Sequence, residues 1–189
     1  MTRTKHYTSR LAAAFLGAFL LAGTTLVPDA YADPNADPDV IPREFGNCMV
    51  GPSPHTFDEV IVFCGESKTE PSIVIGTMID TDNPKKPRIP EVTYFNPHIK
   101  DINKKITFNF GSYHNVEGWV TRPPGAWFID EGDLSRWPSI FQALMSTTTF
   151  SATSDSGTDT VDLTGFSQAF QYFTSEYKRI HNQPLPGWH

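Results

Sequence analysis

Residues 11–27 read LAAAFLGAFLLAGTTLV without a charge, follow Arg3, Lys5 and Arg10, and run into Ala30-Tyr31-Ala32. A basic start, an apolar stretch and small residues at a cleavage position are the three parts of a secretory signal. The stretch is slightly short for a hydrocarbon core of about 30 Å, and the small residues follow directly, so residues 1–32 are expected to be removed and not kept as an anchor. No cysteine stands at the site to take a lipid, and no paired arginines precede the apolar run as a twin-arginine route would require. The domain is therefore expected to fold in the periplasm or after secretion, with no membrane span once the signal is gone.

Removal leaves about 157 residues, a length that buries a full core as a single domain. Arg3, Lys5, Arg10 and Asp29 depart with the signal, leaving 12 basic against 20 acidic side chains and a formal charge of −8. Such a surface, without a basic stripe, argues against nucleic acid and anionic lipid as partners. Cys48 and Cys64 are the two cysteines of the chain, and in an exported protein they are expected to pair. The redox-active alternative usually shows C-x-x-C spacing at a helix start, which these two lack.

Residues 33–44, DPNADPDVIPRE, carry three prolines and read as an extended leader, so the domain is placed at 45–182 and a tail at 183–189. Residues 56–64 (TFDEVIVFC) and 72–79 (SIVIGTMI) are β-branched runs of strand length. Residues 80–90 hold Pro84, Pro87 and Pro90 and read as a loop. Residues 106–110 (ITFNF) alternate as a half-buried strand does, and 118–121 and 126–129 form short strands around Pro123-Pro124-Gly125. A helix opens near Trp137, capped by Asp133 or Ser135, with Ile140, Phe141, Leu144 and Met145 at helical spacing. Residues 147–153 and 160–163 bracket a hairpin turn at Asp155-Ser156-Gly157. A last helix, capped by Thr164, aligns Phe166, Phe170, Phe173, Tyr177 and Ile180 and stops at Asn182 and Pro184. The fold class is mainly β with two helices in the C-terminal half, an antiparallel β-sandwich or open barrel in one domain.

Candidate chemistry is sparse. Gly165-Phe166-Ser167-Gln168-Ala169 opens a helix after a strand, as a nucleophile elbow does, but no parallel βαβ unit precedes it. Glu176 and His181, which follow Ser167, lie on or just past the same helix, so Ser167 reads as a solvated first-turn residue and Gly165 as a point of close approach. The histidines show no metal-ligand spacing with one another or with the cysteines. Asp80-Thr81-Asp82-Asn83 begins like a calcium loop, with Glu91 at the twelfth position, yet Pro84 and Lys85 stand where a ligand and the turn glycine belong. Asp130, Glu131 and Asp133 suit the positive end of the following helix better than a cation, and Lys85-Lys86-Pro87-Arg88 reads as a solvated loop tip. No catalytic residue, metal ligand or cofactor is expected. Tyr94, Tyr113, Trp119 and Trp127 are the candidates for an interaction surface, since aromatic side chains anchor interfaces and carbohydrate-type sites, although the same residue types also fill cores.

The segment from Trp137-Pro138-Ser139-Ile140-Phe141-Gln142-Ala143-Leu144 through Phe150-Ser151-Ala152 to Val161-Asp162-Leu163-Thr164-Gly165-Phe166-Ser167-Gln168-Ala169-Phe170 resembles the invasion-associated locus B family of exported bacterial proteins. Ile106-Thr107-Phe108-Asn109-Phe110 is similar to that family's central strand, and the likeness covers about residues 106–175. The resemblance implies a periplasmic β-sandwich with no enzymatic site to carry over. The proline-rich loops of 80–98 and the tail depart from the family's pattern, which detaches host invasion from the expectation. A non-enzymatic exported binding or envelope-associated protein with a protein partner is the expected function. The alternatives are an accessory subunit using leader and tail as contact arms, and a hydrolase using Ser167.

Overall fold

The computed structural model describes residues 40–52, 60–65, 70–78, 89–102, 104–122, 126–128 and 134–188. The signal segment and residues 33–39 of the leader lie outside them. Among the described residues there are ten strands: β1 (Arg43–Phe45), β2 (Cys48–Pro52), β3 (Val60–Gly65), β4 (Ser72–Met78), β5 (Ile89–Phe95), β6 (Lys105–Phe110), β7 (Tyr113–Arg122), β8 (Ala126–Phe128), β9 (Thr149–Ser154) and β10 (Gly157–Asp162). A 3-10 turn (Leu134–Arg136) leads into α1 (Trp137–Met145), and α2 (Phe166–His181) follows β10.

Hydrogen bonding runs through all ten strands in the order β1-β2-β3-β4-β5-β8-β7-β6-β9-β10, and every pair is antiparallel. The end strands β1 and β10 do not pair, so the sheet is not a closed barrel. It turns back on itself instead: β10 lies against β3, and the inner faces of the two halves share one core. The result is a sandwich-like single domain with α2 laid over β1, β2 and β3.

Local sequence explains the layers. β3 (VIVFCG) is apolar without alternation because both of its faces are covered. Val60, Val62 and Cys64 join the main core, while Ile61 and Phe63 form a second cluster with Val74, against which Phe95 packs. β6 alternates, sending Ile106, Phe108 and Phe110 inward and Lys105, Thr107 and Asn109 outward. The inner rings stack in a chain, with Phe108 5.3 Å and Phe110 5.5 Å from Phe150. Phe166, Phe170, Phe173 and Tyr177 are buried along α2, and Phe170 meets Phe141 of α1 at 4.4 Å. Cys48 and Cys64 face each other in the β2–β3 register, their Cα atoms 4.1 Å apart, and form the expected disulfide.

Several expectations need correction. The leader does not end outside the fold: Val40 is buried, and β1 begins at Arg43. The tail is not free either, since Leu185 is buried and Trp188 packs edge-on against Phe141 and Phe170. β1, β2 and β5 are additional strands, and β7 starts at Tyr113 rather than Gly118 because a tight turn at Gly111 folds it onto β6. Gly111 has φ 52°, and a Cβ there would stand 2.4 Å from the Ala143 carbonyl oxygen of α1. Thr164 does not cap α2. Gly165 takes that place at φ 90°, while the Thr164 N–H donates to Asp162 Oδ1 and its carbonyl accepts from Asn47 N. Ser135 sits inside the 3-10 turn, and α1 has no side-chain cap. Asp133 lies outside the described residues, as do 53–59 and 79–88.

Candidate binding face

Strand alternation and antiparallel register together determine which side chains share the outward face of β7, β6, β9 and β10. Glu117, Thr107, Thr153 and Thr158 are successive cross-strand partners and form one row. Asn109, Ser151 and Thr160 form the next. Four strands at about 4.8 Å spacing make the first row about 14 Å long, and the second lies two residues, about 7 Å, away. The hydroxyls of Thr153 and Thr158 are 2.9 Å apart, and Ser151 Oγ donates to the Asn109 carbonyl at 3.5 Å. Lys105 pairs with Glu117, and Asp162 stands on the same side of β10, two residues beyond Thr160.

Trp119 stands at one corner, directly across from Lys105. Three large apolar side chains are exposed among the described residues, Ile41, Ile102 and Trp119, and only Trp119 is aromatic and on a strand; half of its surface is open. The other aromatic candidates do not join it. Tyr94 is 1 % exposed and faces the core, with its ring against Phe108 and Phe150. Tyr113 is half-buried, stacks on Phe110 at 5.2 Å and shares a 2.6 Å hydrogen bond with Ser139 Oγ. The Trp127 side chain lies outside the described residues, although its backbone belongs to β8.

Tyr94 instead belongs to a polar bridge between β5 and β10. Its hydroxyl donates to Asp159 Oδ2 at 3.0 Å, and Asn96 Nδ2 donates to the same oxygen at 2.6 Å and to the Tyr94 oxygen at 3.1 Å. Asn96 Oδ1 accepts from His98 N at 2.8 Å. Burial pushes the Tyr94 phenol well above its ordinary pKa, with the Asp159 charge adding to the rise and Asn96 opposing it. Asp159 and Asn96 were not among the sequence candidates. The legible signal was parity: Asp159 lies two residues from Val161, on the face of β10 that turns inward.

The other motifs resolve locally. Ser167 lies half-buried in the first turn of α2, and His181 ends that helix about 21 Å along its axis at 1.5 Å per residue. A Cβ on Gly165 would fall 1.8 Å from the Phe45 carbonyl oxygen, so the glycine serves close backbone approach. His98 and His114 are exposed, and His181 rests on the Tyr177 ring at 4.3 Å. Glu91 is buried on β5 and accepts from Thr93 Oγ1 at 2.6 Å, while the rest of the calcium-like loop lies outside the described residues. Among the described residues, no three His, Cys, Asp or Glu side chains gather as a metal-binding group, and no helix is long and apolar enough to cross a membrane. Compared with protein-family models, curated proteins and solved structures, the chain matches none.

Proposed function

We propose that this chain is an exported, non-enzymatic binding protein that meets a component of the cell envelope through the outward face around Trp119. The observation that carries the reading is the half-exposed indole of Trp119 at the corner of a hydroxyl-bearing sheet face. Indoles combine a large apolar surface with a hydrogen-bond donor and are enriched where proteins make contacts. The signal-like segment and the disulfide support a periplasmic or secreted setting. The resemblance to the invasion-associated locus B family supports the absence of a catalytic role.

The accessory-subunit alternative relied on leader and tail as contact arms. Val40, Leu185 and Trp188 turn their side chains into the domain's own core, which favours the sheet face over the arms. The test is recovery of the tagged protein from its own envelope, analysed for both protein and glycan. An envelope component that accompanies the wild type and is lost with Trp119→Ala, but kept with Gln168→Ala on the exposed side of α2, supports the reading. Equal recovery with all three chains would refute it.

A further inference from the structure

We infer that the Cys48–Cys64 disulfide is a redox latch on the joint between the two ends of the sheet: the disulfide sets the turn that closes the joint, and the closed joint shields the disulfide from reduction. One turn carries both. Phe45 and Cys48 close the hairpin between β1 and β2, and Cys48 stands directly across from Cys64 on β3. Within that hairpin the Asn47 carbonyl accepts from Gly65 N, beside Cys64, at 3.2 Å. Asn47 N donates to the Thr164 carbonyl at 2.8 Å, and its side-chain amide donates to Asp162 at the end of β10. A Cβ on Gly46 would stand 2.5 Å from the same Thr164 carbonyl oxygen, so the turn and the β10–α2 corner meet backbone to backbone. The covalent tie to β3 and the contacts to β10 therefore flank a single residue, Asn47.

Coupling between two such sites acts in both directions. With the disulfide formed, the turn is held on β3 where Asn47 reaches Thr164 and Asp162. In return, both cysteines are buried in the core that they share with α2, which lies over β2 and β3 and begins at this corner. A reductant meets the sulfurs when the corner lifts. The chemistry is thiol–disulfide exchange. On closure the two thiols give up two protons and two electrons to an external disulfide, which becomes a dithiol, and one S–S bond forms as another breaks. On opening, an external dithiol attacks and the same exchange runs backwards.

The test follows reduction of the folded, oxidised protein by dithiothreitol, with the freed thiols trapped by iodoacetamide and counted by mass spectrometry. Asp162→Ala and Asn47→Ala remove the side-chain contact at exposed positions and should speed reduction about tenfold. Ile106→Val trims the core on β6, which pairs with β7 and β9, and should be reduced at the wild-type rate although its global stability falls. Rates that rise in all three variants in step with lost global stability would overturn the inference, because reduction would then pass through global unfolding. Unchanged rates in Asp162→Ala and Asn47→Ala would overturn it as well. The converse arm is hydrogen exchange in the Cys48→Ala/Cys64→Ala double variant. Amides of β1, β10 and the first turn of α2 should lose more protection than those of β6 and β7. An equal loss in all of these elements, or protection kept at β10 and α2, would leave the disulfide as a general staple and no latch.

Discussion

Two residues show how little freedom some positions have. Gly165 joins β10 to α2 at φ 90°, with the Phe45 carbonyl where a side chain would begin. Gly165→Ala adds both backbone strain and a clash with main-chain atoms that cannot rotate away. It is expected to cost at least about 3 kcal/mol, which lowers Tm by roughly 6–12 °C in a domain of this size. A thermal melt against wild type checks this. Tyr94 is constrained by its hydroxyl. Tyr94→Phe removes one buried hydrogen-bonding group while leaving Asn96 and Asp159 bonded to each other, an expected loss of about 1 kcal/mol at neutral pH. The phenol's folded pKa is raised above its unfolded value near ~10. Its contribution is therefore complete below about pH 10 and is lost as the pH climbs toward the higher folded value. Wild type and Tyr94→Phe should converge in stability above pH 10, read by urea denaturation at stepped pH.

At the scale of elements, the disulfide and the tail act on the core from opposite ends of the chain. Pairing Cys48 with Cys64 closes a short loop between β2 and β3, so the double alanine variant should lose about 2–4 kcal/mol in urea unfolding. Leu185, beyond the last helix, is as buried as residues in the centre of the sheet. Leu185→Ala should cost about 2–5 kcal/mol by the same measurement, a loss that a solvated tail would not show. The sequence foretold some of this well. α2 and β6 were legible because amphipathic periodicity reports a face directly, and β3 and β4 because their β-branched runs are of strand length. β5 was hidden because Pro90 and Glu91 speak against a strand, although Glu91 is accommodated by Thr93 on the same face. The tail was hidden because Leu185 and Trp188 stand among Pro184, Pro186 and Gly187, and only tertiary contact makes a core residue of an isolated leucine. Of the candidate face, Trp119 could be named from residue type alone. The rows beside it depend on pairing β6 with β9 across a distant stretch of chain, which no local pattern encodes.

The whole molecule is an open sheet whose two end strands are joined at a seam without pairing. Asn47, between β1 and β2, donates from its backbone to the Thr164 carbonyl at 2.8 Å and from its side chain to Asp162 Oδ2 at the end of β10. Asp162 Oδ1 accepts from Thr164 N at 2.7 Å, so one carboxylate holds both sides of the seam. Hydrogen bonding from the side chain of Thr164 and then from its backbone, with Asn47 adding to them, keeps this carboxyl below the usual aspartate range. A depressed folded pKa gives stability that is present above about pH 4, where the unfolded carboxylate is ionised, and lost as the pH falls through the folded value. Native-state hydrogen exchange should register the seam as a unit. In Asp162→Ala, amides of β1 and β10 should lose protection together, whereas those of β4 and β5, interior in the strand order, should keep theirs. Wild type should show the same paired loss as the pH is lowered below about 4, and Asp162→Ala should show no further loss at the seam over that range. Independent fraying of β1 and β10 would mean that the two ends are held separately, and that the sheet is closed by its core alone.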